Sequence, residues 1–357
     1  MQLVEDFLLT NGLVYKKEIS LSNITYCKTG GLCQLMILPS NSEQFGSVYG
    51  FLKSNGIKFS IIGETSNMLF LDDVTYGVII STKLLDNISI CNDKVKVDAG
   101  VNLGQFLRLM YSKKIAGFEG LEGIPGSVGG AAFMNAGAYG YEISDKIYSV
   151  ECLNEHGDII TLNKDACSFT QRHSIFRESK KYIILSVMFD MDVSSDPNYY
   201  RKIEQYHISR HSYQEFVLPN IGSVFTAKKC VYDEFCKVDW KYKIIYKILI
   251  KIFYNKMARF FNRKSPNRSI LNDFTVKYFK LDKVKNVFSI KHINMIANQN
   301  LNSWDILEYM YSMKQILENR VTLENDIVVD SIVKWDCDNN DVQSYKRKIS
   351  SVIGSWK

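Results

Sequence analysis

Between Gly117 and Gly140 the chain reads GFEGLEGIPGSVGGAAFMNAGAYG, with eight glycines. Glycine loses more backbone entropy on folding than any other residue, so this density needs a geometric reason. Positive φ at turns is one. Close approach of bare backbone to a flat or anionic ligand is the other. Ser127, Asn135 and Tyr139 set polar groups beside that backbone. A pair of glycines is an ordinary turn, whereas a loop this rich in them suits the cradling of phosphates by backbone N–H groups.

The 357 residues allow two or three domains, and 46% apolar with 23% charged residues is a globular composition. The N-terminus carries acids early and lacks the apolar core of a signal peptide. No stretch reaches the roughly 18–20 uncharged apolar residues that span a bilayer. A cytoplasmic protein is expected. The eight cysteines are scattered without a C-x-x-C pair, and the five histidines form no metal-binding pattern, so reduced thiols and no metal are expected.

Taken in order, residues 1–20 read as a helix with Val4, Phe7, Leu8 and Leu13 on one stripe. Strands are expected around Thr25–Tyr26 and Leu35–Leu38, on either side of Gly30-Gly31. Asn41 or Ser42 caps a helix. Residues 57–71 read as strand, loop, strand, and the loop Gly63-Glu64-Thr65-Ser66-Asn67 is a second glycine-polar element. Short strands over 76–101 lead to a helix at 102–114 capped by Asn102. Strands follow at 146–152 and 158–162. From Trp304 an amphipathic helix turns Ile306, Leu307, Met310, Met313 and Leu317 inward. This is an α+β layout. Regular βαβ alternation is missing, as is a G-x-G-x-x-G at a strand–helix junction, which argues against a Rossmann domain.

GIPGSVGGAAFMNAGAYG resembles the flavin-binding core of the UDP-N-acetylenolpyruvoylglucosamine reductase (MurB) family. The resemblance covers residues 20–230 well and 285–330 moderately. It implies the two-subdomain FAD-binding fold of the vanillyl-alcohol oxidase/MurB (PCMH-type) superfamily plus a C-terminal α+β substrate domain. The implied boundaries are 1–83, 84–218 and 219–333, with a tail at 334–357. It implies non-covalent FAD held by Gly63, Thr65, Ser66, Asn67 and Met68 of one loop. From the other loop come Gly123, Ile124, Pro125, Gly126, Ser127, Gly129, Gly130, Asn135, Gly137, Ala138 and Tyr139. NADPH is the implied co-substrate and a UDP-sugar the substrate. The family's first loop is richer in glycine, and here Glu64 and Thr65 stand in that region.

The resemblance also implies the chemistry. Residues 167–176 read CSFTQRHSIF against a family Tyr-Arg-x-Ser-x-Phe motif, with Gln171 in place of the tyrosine. Arg172 would contact the substrate carboxylate, and on a strand Ser174 would share its face. In PNIGSVF, Ser223 matches the family's general acid, and Asn220 is an implied substrate contact. In VTLENDIVVD, Asp326 falls where the second glutamate of Leu-Glu-Pro-Glu is catalytic, with Asn325 at the proline. Aspartate is one methylene shorter, and a displacement of about 1 Å at a reacting group can cost on the order of 100-fold. Glu324 would serve only if the strand register slipped. The implied activity is transfer of hydride from NADPH through FAD to the enolpyruvyl group of a UDP-sugar in peptidoglycan precursor synthesis. The alternatives are a paralogue acting on another nucleotide sugar, or a non-catalytic, membrane-associated FAD-binding module.

One stretch departs from the resemblance. Lys237–Lys264 carries nine Lys and Arg against one Asp, a charge of +8 in a chain of +6, so the remainder is near −2. Two readings stand. One is a divergent helix whose lysines snorkel from a half-buried face. The other is a basic helix contacting a membrane surface or an acidic partner. No nucleic-acid-binding motif accompanies the charge.

Overall fold

The computed structural model describes residues 1–179, 181–254, 268–282 and 287–354. Its first sheet is built around Val74–Ser81, a strand buried at every position, as expected of a central strand covered on both faces. Leu32–Ile37 and Phe59–Ile62 pair with it in parallel. Tyr15–Ser20 extends the sheet antiparallel to Leu32–Ile37, and Ile332–Trp335 pairs antiparallel with the start of the central strand. The helix Ser42–Ser54 buries Phe45, Val48, Tyr49 and Leu52, and the Asn41 side chain caps it by accepting the Gln44 N–H at 2.9 Å.

A second, antiparallel sheet runs in the order Ile159–Asn163, Ile147–Leu153, Ile183–Asp190, Lys94–Asp98, Ile88–Cys91. Val95 and Val97 point inward in strict alternation, into a core shared with Phe106, Leu107 and Met110 of the helix Leu103–Ser112. Asn102 caps that helix through Gln105 N–H. The short helix Val128–Phe133 approaches the same sheet so closely that a Cβ on Gly129 would lie 2.7 Å from Ala99 Cβ. Glycine is therefore required there by packing, and the Gly129 N–H donates to Ala99 O at 2.8 Å.

In the C-terminal region, helices Val231–Val238, Trp240–Phe253, Ser269–Tyr278 and Ser303–Leu317 accompany a hairpin of Phe288–Ser289 and His292–Ile296. Ile306, Leu307, Met310, Met313 and Leu317 are all fully buried, as their spacing predicts. Each such side chain contributes roughly 1.5–3 kcal/mol relative to exposure. This region shares one continuous core with the first sheet, from Leu21 and Leu69 to Met310 and Tyr345, while the second sheet keeps its own.

The local expectations meet three differences. The first helix ends at Thr10, because Asn11 closes it and Gly12 turns the chain at φ 60°; Tyr15–Ser20 is then a strand. Thr25–Tyr26 is no strand. The Thr25 hydroxyl donates to Thr29 O at 2.7 Å and the Tyr26 N–H goes to the Thr65 hydroxyl, so side chains take the place of ladder bonds. The residues after 333, read as a tail, hold a helix at Asn339–Ile353 capped by Asp338, with Tyr345, Ile349 and Val352 buried. Of the basic stretch, Trp240–Phe253 is helical, and residues 255–264 lie outside the described residues.

Candidate active site

The two glycine loops meet each other. The Ser66 hydroxyl donates to Pro125 O at 3.1 Å. A Cβ on Gly63 would lie 2.6 Å from Ser127 Oγ, so only bare backbone fits between the loops at that point. Ser127 Oγ is itself occupied, accepting the Gly130 N–H at 3.2 Å as the cap of Val128–Phe133. Thr65 sits at φ 58°, a left-handed conformation that disfavours a β-branched residue. It is held there by burial and by the bond its Oγ1 accepts from the Tyr26 N–H at 2.8 Å.

Beside these loops lies a cavity of about 1320 Å³. Ligand pockets usually span about 300–1,000 Å³, so this one has room for a dinucleotide and a second ligand. Gly63, Thr65, Ser66, Asn67, Met68, Gly123, Ile124, Pro125, Gly126, Ser127, Gly129, Gly130, Gly137 and Ala138 all line it. So do Arg172, Asn220, Ser223, Glu324 and Asp326.

Three expected contacts are elsewhere. Asn135 is 1% exposed and does not line the cavity. Its Nδ2 donates to Glu142 Oε2 at 2.8 Å and Thr170 O at 2.9 Å, tying the glycine loop to the turn that carries Arg172. Tyr139 stacks on Tyr206 at 4.7 Å, outside the lining. Ser174 is fully buried and donates to Phe133 O at 2.6 Å, so it is not placed as a substrate contact. The strand reading fails there because Thr170 and His173 close a turn by mutual backbone bonds, with Arg172 at φ 56° inside it. The helix Ile175–Ser179 follows. Residues two apart in such a turn need not share a face.

At the chemical end, Arg172 Nε lies 3.1 Å from Glu324 Oε1, and Thr226 Oγ1 donates to Glu324 Oε2 at 3.3 Å. The strand is interrupted between Val321–Leu323 and Asp326–Ile327. The Asn67 amide lies at this break, donating to Glu324 O at 3.0 Å and accepting from Asn325 Nδ2 at 2.8 Å. The Asp326 N–H donates to Asn67 O at 2.9 Å. Both carboxylates, two positions apart, therefore line the cavity without any slip of register. Asn220 spends its side chain on the loop, donating to Leu218 O and accepting the Gly222 N–H at 3.1 Å, which shapes the turn presenting Ser223.

Two arginines escaped the sequence reading. Arg177 donates to Arg172 O at 2.9 Å and to Glu324 O at 3.0 Å, joining segments nearly 150 positions apart. Arg210 lines the cavity at 3% exposure, and burial lowers its pKa. It donates to Gln214 Oε1 at 2.8 Å and Gly120 O at 3.3 Å, while its Nε has no acceptor among the described residues. A buried cation held only by neutral acceptors suits an anionic ligand. Nothing local in the helix Tyr199–Tyr213 singles it out in sequence.

Residues 33–163 match the FAD binding domain family. The UDP-N-acetylenolpyruvoylglucosamine reductase of Latilactobacillus sakei is 36% identical over 223 residues, which are 62% of this chain and 73% of that protein. That of Carboxydothermus hydrogenoformans is 36% identical over 206 residues, 57% of this chain and 68% of that protein. The crystal structure of UDP-N-acetylenolpyruvylglucosamine reductase (MurB) from Thermus caldophilus aligns with a TM-score of 0.64 at 20% identity, covering 89% of this chain and 100% of that one. The chain has the α+β FAD-binding fold of that protein and belongs to the UDP-N-acetylenolpyruvoylglucosamine reductase (MurB) family.

Proposed function

We propose that the protein is an NADPH-dependent flavoenzyme that reduces the enolpyruvyl group of a UDP-sugar, forming UDP-N-acetylmuramate for peptidoglycan synthesis in the cytoplasm. The carrying observation is that Arg172, Ser223 and the carboxylates of Glu324 and Asp326 line the same cavity as both glycine loops. The residues present fit FAD. Bare backbone at Gly63 and Gly126, the hydroxyls of Thr65 and Ser127, and the Arg210 charge on the cavity wall together make a cradle for an anionic dinucleotide.

FAD, when bound, supplies the relay of reducing equivalents from NADPH to the substrate double bond. The protein's share is orientation and charge. Glu324 holds Arg172 through its Nε. A planar guanidinium on the cavity wall can clamp the substrate carboxylate. Arg172 polarises that carboxylate as negative charge moves onto it, and Asp326 would assist in its protonated form, as a hydrogen-bond donor. The Ser223 hydroxyl gives its proton to the adjacent carbon, a role that needs a desolvated site and a strongly basic acceptor.

The test is anaerobic stopped-flow absorbance at the flavin band, with NADPH first and UDP-N-acetylglucosamine enolpyruvate second. Bleaching followed by fast recovery is expected. Bleaching without recovery would move the substrate to another nucleotide sugar, and absence of flavin from the purified protein would overturn the reading.

The basic stretch 237–264 lies outside this chemistry, and we propose it as a peripheral contact with a membrane surface or an acidic partner. The net charge of the stretch supports this. No helix among the described residues is long and apolar enough to cross a membrane.

A further inference from the structure

The helix Trp240–Phe253 has two unlike faces. Tyr242 is fully buried, its hydroxyl 2.8 Å from Thr275 Oγ1, and Tyr246, Leu249 and Ile250 pack on the same core. Asp239 caps the helix through the Lys241 N–H at 2.7 Å and accepts the Tyr278 hydroxyl at 2.8 Å. The helix is thus fixed to the body of the protein. Its other face is fixed outward with it.

That outward face is apolar where solvent would favour polar groups. Trp240, Ile244, Ile248 and Ile252 follow one another at four-residue spacing and are 67%, 49%, 50% and 45% exposed. Ile245 lies beside them, also exposed. Residues four apart stack on one side of a helix, so these form a continuous ridge. Single exposed apolar residues are ordinary, but a contiguous row marks an interaction surface. Lys241, Lys243, Lys247 and Lys251 are exposed around the ridge, and no acidic residue occurs from Trp240 to Phe253.

The combination selects the partner. A second copy seated on this face by a two-fold axis would bring four lysines against four. An acidic peptide would answer the lysines but would need a matching apolar trough for a convex ridge. An anionic bilayer needs no trough. Isoleucines enter the acyl boundary, an indole suits the headgroup level, and lysines reach lipid phosphates.

We propose that the Trp240–Phe253 helix seats the enzyme on anionic lipid, with the Trp240–Ile252 ridge entering the interface and the four lysines pairing with headgroups. This rests on the reading of 237–264 as a peripheral contact and names its partner.

The test is co-sedimentation of the full-length flavin-loaded protein with vesicles of phosphatidylcholine alone or mixed with phosphatidylglycerol. Soluble poly-glutamate is titrated separately as an acidic partner without lipid. Binding to the anionic vesicles, little binding to neutral ones, and weakening with salt are expected. Ile244→Ser with Ile248→Ser should weaken anionic-vesicle binding by about tenfold or more, although every lysine remains. Lys241→Glu with Lys247→Glu should abolish it. NADPH oxidation in solution by both variants checks that they are folded. Vesicle binding untouched by the isoleucine changes would overturn insertion of the ridge. Binding to poly-glutamate but not to vesicles would overturn the lipid assignment and keep the peripheral contact. Binding to neither would overturn both, and turnover in solution would still stand as the separate test of the reductase reading.

Discussion

Arg172 Nε lies 3.1 Å from Glu324 Oε1, and Arg177 bonds the backbone carbonyls of both residues. The arginine proposed to hold the substrate is thus itself held by a segment of the C-terminal region. Glu324 is a positioning residue in this arrangement. Its side chain is 14% exposed, and Thr226 restrains its second oxygen.

Removing the positioning carboxylate should misdirect Arg172 without removing it. Glu324→Gln keeps one acceptor and is expected to lower kcat/KM by about tenfold, mostly through KM for the UDP-sugar. Arg172→Met should cost about 100-fold or more, the scale of losing a donor aimed at developing charge. Steady-state NADPH oxidation measures both. An equal loss for both variants would show that Glu324 does more than hold its partner.

Asp326 lines the cavity, as the resemblance implies, at the place where the family carries the longer glutamate. If it acts directly, Asp326→Asn should lower turnover by about 100-fold, while Asp326→Glu stays nearer the wild type. The same assay decides. A harmless Asp326→Asn would move the acidic role to Glu324.

Ser223→Ala should separate the half-reactions. Flavin bleaching by NADPH is expected at the wild-type rate, because the hydroxyl takes no part in that step. Recovery on adding the enolpyruvyl sugar should slow by about 10²–10⁴-fold, the usual contribution of a positioned acid. Stopped-flow absorbance reads both phases in one experiment.

Gly63→Ala tests the crossing of the loops. The added Cβ would lie 2.6 Å from Ser127 Oγ, which already caps the Val128–Phe133 helix. Overpacking of this kind costs on the order of 1–3 kcal/mol. A lower Tm and loss of bound flavin on gel filtration are expected. Gly50, in the helix Ser42–Ser54 with open space around it and no positive φ, is the control, and Gly50→Ala should keep the flavin.

His292 makes stability depend on pH. Burial, with the Arg268 charge nearby, lowers its pKa to about 4. Its Nδ1 accepts the Asn294 N–H at 3.1 Å, a bond that protonation there would break. The unfolded value is about 6.5. Between those limits the unfolded chain binds the extra proton, so stability is full above about pH 6.5 and falls as pH drops towards 4. At about 1.4 kcal/mol per unit the loss is on the order of 3 kcal/mol. Urea unfolding at pH 7, 5.5 and 4.5 measures it, and His292→Gln should flatten the slope.

Local rules carried much of the architecture. Asn41 and Asn102 cap where their side chains reach back to the first turn, and the Trp304 helix buries the five residues its period selects. Such features depend on neighbours within a few residues. Ser174 shows where this ends: its spacing from Arg172 was legible, but the backbone path between them was not, because the turn is closed by Thr170 and His173 and anchored by Asn135 and Arg177.

The sequence by itself determined the two glycine loops, the family they belong to, and a set of site residues most of which line the cavity. Tertiary structure decided how those residues are held. Arg210 became a buried cation, Arg177 joined two distant segments, and Glu324 met Arg172 because residues far apart in the chain were brought within hydrogen-bond distance. The physical reason is that a charge acquires its cost and its function from the burial and partners around it. Those are properties of the packed chain, and local spacing does not carry them.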